Sequence, residues 1–314
     1  MQLEENNNRM RKVLLIFIDG LGLGENDPRI NPLARFDPPI FRRLFGGPLT
    51  RELGSIINDD ACLVPTDAGL GVPGLPQSAT GQTTIFTGVN APQRMDRHIL
   101  GFPGPALAAI IAEHGLLREL AAAGLSVTSA NMYTADYMDL VARRQRRHSV
   151  TTLTILGAGL PLRSRCEMAA GGAVYQDITN EMLPRFGVTD VPPITPEAAG
   201  RRLAELARRH SFTMFEYFQT DRQGHKNDWA QAEKIVATLD GFLSEVREAA
   251  RGTLVLITSD HGNFEDFSVK THTTNFVPTI LFGPGCREVA AAIRDLTDIK
   301  PAIIAYLKEG ENND

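Results

Sequence analysis

A chain of 314 residues with 43% hydrophobic residues has the size and composition of a soluble globular protein that buries a substantial core. A formal net charge of −5 at pH 7 excludes the broadly basic surface that non-specific binding to nucleic acid or an anionic membrane requires. The three cysteines, Cys62, Cys166 and Cys286, match no zinc or redox spacing and argue against a disulfide framework, so the expected compartment is a reducing cytoplasm.

The polar opening segment MQLEENNNRMRK leads into VLLIFI, residues 13–18, a run far too short to span a bilayer and followed by Asp19-Gly20. No secretory pattern is expected there. Continuous apolar, β-branched-rich runs predict strands covered on both faces, at 13–18 and again at 212–218, 253–258 and 278–282. In GLPQSATGQTTIFTG, residues 74–88, a Gly-Pro turn precedes a helix that begins near Ser78 and ends at Gly88. Residues 117–123, Gly124 and 125–130 read as a helix–strand unit.

Residues 133–195 differ in character: they hold the basic run RRQRRH (143–148), a Thr-rich strand-like piece VTTLTIL, a Gly-rich stretch and Val191-Pro192-Pro193. This segment is expected to form an inserted lobe over the sheet edge. Thr195-Pro196-Glu197 then starts a helix with Thr as N-cap and Pro at its first position. A long amphipathic helix follows at 229–250, closed by Gly252, and a last one at 298–308, with a frayed GENND tail. Strands alternating with helices predict an α/β fold: a doubly wound, mainly parallel sheet built from 10–132 and 196–314, with 133–195 as a small cap lobe.

The acids and histidines fall at strand ends. Asp19 ends the first strand, Asp260-His261 ends TLVLITS, Asp221 follows FTMFEYFQT with His225 four residues on, and His272 lies in THTTN before the last strand. Ligands of open α/β sheets gather beyond the carboxyl ends of strands, so these residues are expected to meet in one crevice. Three Asp and three His, in a chain with 7 histidines, make a mixed N/O set that suits Zn²⁺ or Mn²⁺. With one further oxygen they suffice for two divalent ions, and a buried carboxylate cluster without cations would be prohibitively unstable. Ser78 offers that oxygen. Read alone it is a helix N-cap; beside cations its hydroxyl becomes a candidate nucleophile on a helix N-terminus suited to a phosphoryl anion, with Thr80 as the alternative.

In this order, the segments FIDG, QSATG, TDRQGH, SDHGN and THTTNFVP resemble the alkaline phosphatase superfamily, and within it the branch of cofactor-independent phosphoglycerate mutase and phosphopentomutase. The closing DLTDIKPAIIAYL is similar to that family's C-terminal helix. The resemblance implies one metal held by Asp221, His225 and His272, and another held by Asp19, Asp260, His261 and the Ser78 oxygen. It further implies that Ser78 takes a phosphoryl group from a small-molecule phosphate ester and passes it on, as a phosphomutase or phosphohydrolase would, with no nucleic-acid or membrane partner. Two features depart from the pattern: Gly81-Gln82 stands where the mutases have Gly-His, and their substrate caps are much larger than 133–195. Arg163 and Arg165, or Arg94 and Arg97, are the candidates to grip a phosphate or carboxylate, while RRQRRH reads as a solvated face. Cys62 to Thr66 has neither the spacing nor the arginine of a sulfatase nucleophile. The alternatives are a metal-stabilised scaffold or regulatory protein that has lost catalysis, and a phosphodiesterase of the same superfamily. Oligomeric state has no sequence signal.

Overall fold

The computed structural model describes residues 11–309. The GENND tail at 310–314 and all but the last two residues of the polar opening segment lie outside the described residues. Seven strands, β1 (Val13–Ile18), β2 (Ile56–Ile57), β3 (Ala61–Thr66), β4 (Val127–Ser129), β5 (Phe212–Tyr217), β6 (Leu254–Thr258) and β7 (Val277–Phe282), form one sheet in the order β2-β3-β7-β6-β1-β5-β4. The fold is a mixed α/β architecture whose central strands β6, β1, β5 and β4 run parallel. No described helix is long and apolar enough to cross a membrane.

The apolar runs explain the layers. All six residues of β1 are buried, and alternate side chains enter different cores. Leu14, Ile16 and Ile18 join Phe215, Val236 and Phe242 beneath the helices Pro196–Arg209 and Trp229–Ala249. Val13, Leu15 and Phe17 join Phe86, Leu256 and Ile303 on the other face, beneath Ser78–Thr87 and Ile299–Glu309. Thr195 caps its helix as expected, its side chain accepting from Ala198 N.

The structure corrects the sequence reading at one place and adds to it at two. VTTLTIL is a helix, Val150–Gly157, capped by Ser149, with Thr154 Oγ1 donating back to Val150 O at 2.9 Å. Its threonine hydroxyls are satisfied locally or by side chains, which removes the main objection to β-branched residues in a short helix. The last strand, β7, is antiparallel to both β6 and β3. And β3 was hidden by its proline: Pro65 pairs with Pro278 of β7, beyond the reach of the two-residue β2 on the other side, so the missing N–H costs little.

Residues 133–195 occupy three environments, and Val174 and Ile178 join Ile18 and Phe215 in the core on one face of the sheet. Val150 and Ile155 pack into the main core with Ile111 and Leu117. A separate small cluster of Met168, Tyr175, Leu183, Val188 and Val191 forms around Met132.

Phe17 is fully buried and meets Phe86 edge-on at 5.8 Å, so it joins β1 to the helix that carries Ser78. Phe17→Ala is expected to cost about 3–5 kcal/mol of stability in denaturant titration, with an unchanged m-value.

Candidate metal centre and catalytic cavity

The chain turns sharply where β1 ends. Gly20 has φ +71°, and a Cβ there would stand 2.8 Å from Asp221 Cα, so only glycine lets the loops after β1 and β5 touch. Asp19 and Asp221 are thereby brought to one place, and Thr220 Oγ1 donates to Asp19 O at 2.5 Å. Asp260 and His261 arrive from the adjacent end of β6. His272 arrives because β7 is antiparallel: its beginning lies at the same sheet edge as the ends of β1, β5 and β6.

Ser78 is delivered by a second close approach. A Cβ on Gly81 would stand 2.7 Å from Asp260 O, so this glycine lets the helix Ser78–Thr87 lie directly against the loop after β6. The N-cap is Gln77, and Ser78 is the first helical residue. Its hydroxyl is therefore not used for capping and lies 3.0 Å from His261 Nε2. Thr80 is turned away, its hydroxyl bonded to Gln77 O at 3.2 Å and Ile99 N at 3.1 Å.

All six Asp and His residues converge. His261 Nε2 is 3.3 Å from Asp19 Oδ1 and 3.6 Å from Asp260 Oδ2. Asp221 Oδ1 is 3.4 Å from His225 Nε2 and 3.5 Å from His272 Nε2. The ligand atoms fall into two compact groups, Asp19–Asp260–His261 and Asp221–His261–His272, with His225 on the solvent side of the second. The rings of His261 and His272 stack at 3.6 Å.

The histidines are oriented alike. His225 Nδ1 is 2.9 Å from Lys270 O, His272 Nδ1 is 2.8 Å from Pro76 O, and His261 Nδ1 is 3.3 Å from Gly262 O. A carbonyl can only accept, so each Nδ1 carries the proton and each Nε2 presents a lone pair to the cluster. This is the outer-shell pattern of metal-ligating imidazoles. Asp19 Oδ1, buried beside His261, has no hydrogen-bond donor. A bare carboxylate oxygen facing imidazole lone pairs needs a cation or a proton, so the donor set fits divalent ions.

The electrostatics agree. Burial, followed by the neighbouring Asp260, Asp221 and Glu216 carboxylates, pushes the Asp19 carboxyl well above its usual range. Asp221 is also desolvated, but positive charge on the facing His272, His261 and His225 imidazoles, with the Asn263 amide, lowers it to about 2; with lone pairs on the Nε2 atoms, that positive charge is what a bound ion would supply.

Several residues to which the sequence assigned no supporting role hold this arrangement. Gln82, one turn after Ser78 and so on the same helix face, bridges two carboxylates: its Nε2 donates to Asp19 Oδ2 at 3.2 Å and Asp260 Oδ2 at 3.1 Å. Buried Glu265 accepts from Gly22 N at 3.0 Å, Asn263 N at 2.7 Å, Asn275 Nδ2 at 3.0 Å and the Thr273 hydroxyl, tying together the loops after β1, after β6 and before β7. Asn263 donates to Asp221 Oδ1 at 2.8 Å. Glu216, a lone charge inside the apolar strand β5, accepts from Thr151 Oγ1 at 2.9 Å, and burial with a contribution from Asp260 raises its carboxyl to about 7.

A cavity of about 440 Å³ opens over Ser78, Asp19 and Asp221, within the roughly 300–1,000 Å³ range of small-molecule sites. The arginines on its wall are Arg146, Arg147 and Arg222, so part of RRQRRH lines the site as well as facing solvent. Arg94, Arg97, Arg163 and Arg165, the candidates from sequence, are not among the lining residues. Arg163 is held by Ser129 O, Gly172 O and Thr128 Oγ1 at 2.7–2.8 Å, and Arg165 pairs with Asp190 at 2.9 Å. Both guanidinium groups are thus occupied inside the fold or at its surface.

Comparison with known proteins bears on the same residues. Residues 174–309, which carry Asp221, His225, Asp260, His261 and His272, match the family model described as Metalloenzyme superfamily. Over this segment the chain is similar to the metalloenzyme superfamily. The chain is 30% identical over 126 residues to a 2,3-bisphosphoglycerate-independent phosphoglycerate mutase of Desulforudis audaxviator, a match that takes in 36% of this chain and 25% of the mutase. It is 37% identical over 86 residues to a phosphopentomutase of a Methylobacterium species, covering 27% of this chain and 21% of that protein. The matched part thus spans about a quarter or less of each relative's length. The structure superposes on alkaline phosphatase from the Antarctic bacterium TAB5 with a TM-score of 0.52 and 14% identity, covering 96% of this chain and 99% of that one. The fold is alkaline-phosphatase-like, as the sequence resemblance implied.

Two outcomes are expected of this geometry. Gln82→Leu should weaken Mn²⁺ or Zn²⁺ binding about 10–100-fold in calorimetric titration while the fold is retained by circular dichroism. Glu216 titrates at about 7 in the folded chain against 4.5 in a model carboxyl, so its ionisation opposes folding. Its contribution is neutral below pH 4.5, grows unfavourable as pH rises to 7, and stays so above. Glu216→Gln should therefore stabilise the metal-stripped chain at pH 8, by up to about 3 kcal/mol, and leave its melting temperature unchanged at pH 4.

Proposed function

We propose that this protein is a two-metal enzyme that moves a phosphoryl group from a small phosphate ester through Ser78. The observation that carries this reading is the position of the Ser78 hydroxyl, 3.0 Å from His261 Nε2 at the edge of the three-Asp, three-His cluster. Asp19, Asp260, His261 and the Ser78 oxygen would hold one ion, and Asp221, His225 and His272 the other, with His261 and His272 stacked at the boundary. When bound, such ions lower the cost of ionising a hydroxyl and neutralise charge on the transferred oxygens.

The chain's own groups account for the rest. Ser78 Oγ attacks phosphorus, the P–O bond to the ester oxygen breaks, and that oxygen leaves as the hydroxyl of the alcohol once it has taken a proton. The helix N-terminus that begins at Ser78 directs free backbone N–H groups at the phosphoryl oxygens. Water, or a second hydroxyl of the substrate, then attacks the phosphoserine and restores Ser78, which distinguishes a phosphohydrolase from a phosphomutase. The partial sequence similarity to mutases supports the second outcome. A cavity open enough to admit water supports the first. Three free cysteines, two of them buried, are consistent with a reducing compartment, and we place the activity in the cytoplasm.

Ser78→Ala is expected to abolish phosphate-ester turnover, a loss of at least about 10³-fold, while elemental analysis still finds about two Mn²⁺ or Zn²⁺ per chain. Retained turnover in that variant would dismiss Ser78 as the nucleophile. Failure of the wild-type chain to bind any divalent ion would dismiss the whole reading.

A further inference from the structure

The wall of the cavity away from the candidate metal cluster is unusual for a sugar-phosphate site. It presents Phe102, Tyr133, Tyr137, Tyr175, Phe186 and Phe218, so three of the 5 tyrosines in the chain meet in one cavity. Most of the neutral polar side chains among them already bond within the protein, and Thr134 Oγ1 accepts from Tyr137 N at 3.3 Å. Asn131 Nδ2 donates to Glu216 O and its Oδ1 accepts from Glu216 N, both at 2.8 Å. Gln176 Oε1 accepts from Gln219 Nε2 at 2.6 Å, and its Nε2 donates to Tyr175 OH at 3.3 Å. Thr152 Oγ1 lies 3.1 Å from Tyr133 OH and 3.0 Å from Ser149 Oγ, and Tyr137 OH lies 2.9 Å from His148 Nδ1. The Tyr133 and Tyr137 hydroxyls are therefore drawn into the protein's own network, so these two offer the cavity chiefly ring surface, while the Tyr175 hydroxyl accepts from Gln176 and keeps its own hydrogen.

That inventory discriminates between ligands. A polyol needs a free donor or acceptor for each hydroxyl it brings in, and an unpaired one costs more than the contact gains. A planar ring needs none and is attracted to aromatic edges and faces. The lining arginines complement it: Arg146 lies over Tyr137 at 5.3 Å from the ring centre and Arg147 over Phe102 at 5.9 Å. A guanidinium stacked in this way keeps its edge N–H groups for an anion. Neither these two nor Arg222 forms an ion pair among the described residues, and Asp136 and Glu216 are the acidic residues that line the cavity beside the tyrosines.

Resting on the phosphoryl-transfer reading above, we infer that the ester this cavity takes carries a planar aromatic ring, seated among these six rings while its phosphate reaches Ser78. A nucleobase and a simple aryl group share this chemistry.

The test uses the full chain loaded with Mn²⁺ and compares kcat/KM for a nucleoside 5′-monophosphate, phenyl phosphate and ribose 5-phosphate. Both ring-bearing esters are expected to exceed ribose 5-phosphate by about tenfold or more, the scale of one base–aromatic stack. A nucleotide preference over phenyl phosphate would assign the site to nucleobases, and the reverse to simple aryl groups. Tyr137→Ala should collapse the ratio, and Tyr137→Phe, which keeps the ring, should restore it. Equal use of ribose 5-phosphate, or a ratio indifferent to Tyr137→Ala, overturns the inference and leaves the two-metal reading standing. If no ester is turned over, calorimetric titration of the same protein with adenosine and with phenol decides the matter. Binding weakened by Tyr137→Ala upholds the ring site although the phosphoryl-transfer reading fails, and no binding of either overturns it.

Discussion

Four carboxyl groups, from Asp19, Asp221, Asp260 and Glu216, crowd into a space largely closed to water, and the structure around them is organised by that crowding. Charges of one sign at such separations cannot all persist in a poorly solvated site without compensation. The protein supplies part of it with neutral donors: Gln82 between Asp19 and Asp260, the Gly20 N–H on Asp260 Oδ1 at 3.3 Å, and Asn263 on Asp221. The remainder falls to groups that carry positive charge. Imidazoles with their protons fixed on the outward nitrogen cannot donate inward, so the architecture is arranged for a cation rather than for an internal salt bridge.

The sheet makes this convergence possible. Parallel strands β1, β5 and β6 end on one edge, where each contributes an acid within four residues of its last. The antiparallel β7 adds its beginning to the same edge and so brings a histidine that a wholly parallel sheet would have placed at the opposite end. Glycine at two contact points then lets backbone meet backbone where any side chain would hold the segments apart.

Much of this was legible in the sequence because the core strands are uninterrupted apolar runs, and because acids and histidines directly after such runs have few structural reasons to be there. The six ligand candidates, and Ser78 at a helix start, followed from that placement. What stayed hidden was of two kinds. Strand β3 contains Pro65, and the helix Val150–Gly157 is rich in β-branched residues, so local propensity pointed the wrong way and tertiary context overrode it. The supporting residues Gln82, Glu216 and Glu265 act through partners far away in the chain, which no local pattern reports, although a single Glu within the apolar run FTMFEY was a visible irregularity. The cavity arginines carried no local signal for a related reason: Arg146 and Arg147 stand in a basic run that is solvated as its composition suggests, and only the fold places that run on the wall of the cavity that holds Ser78.

The reversal of β7 also sets how the centre assembles. Asp260, His261 and His272 all belong to the loop 259–276, whose two ends are held by paired neighbours β6 and β7 and whose interior is fastened by Glu265. Half of the ligand set can therefore form with a small loop-closure entropy, from contacts of low sequence separation. Asp19 reaches the same place only when β1 docks against β6, with some 240 residues between Gly20 and Asp260. The centre thus consists of a locally closed hairpin-like half and a half whose arrival reports completion of the whole sheet. An ion that needs ligands from both halves would therefore find them together only in the finished topology.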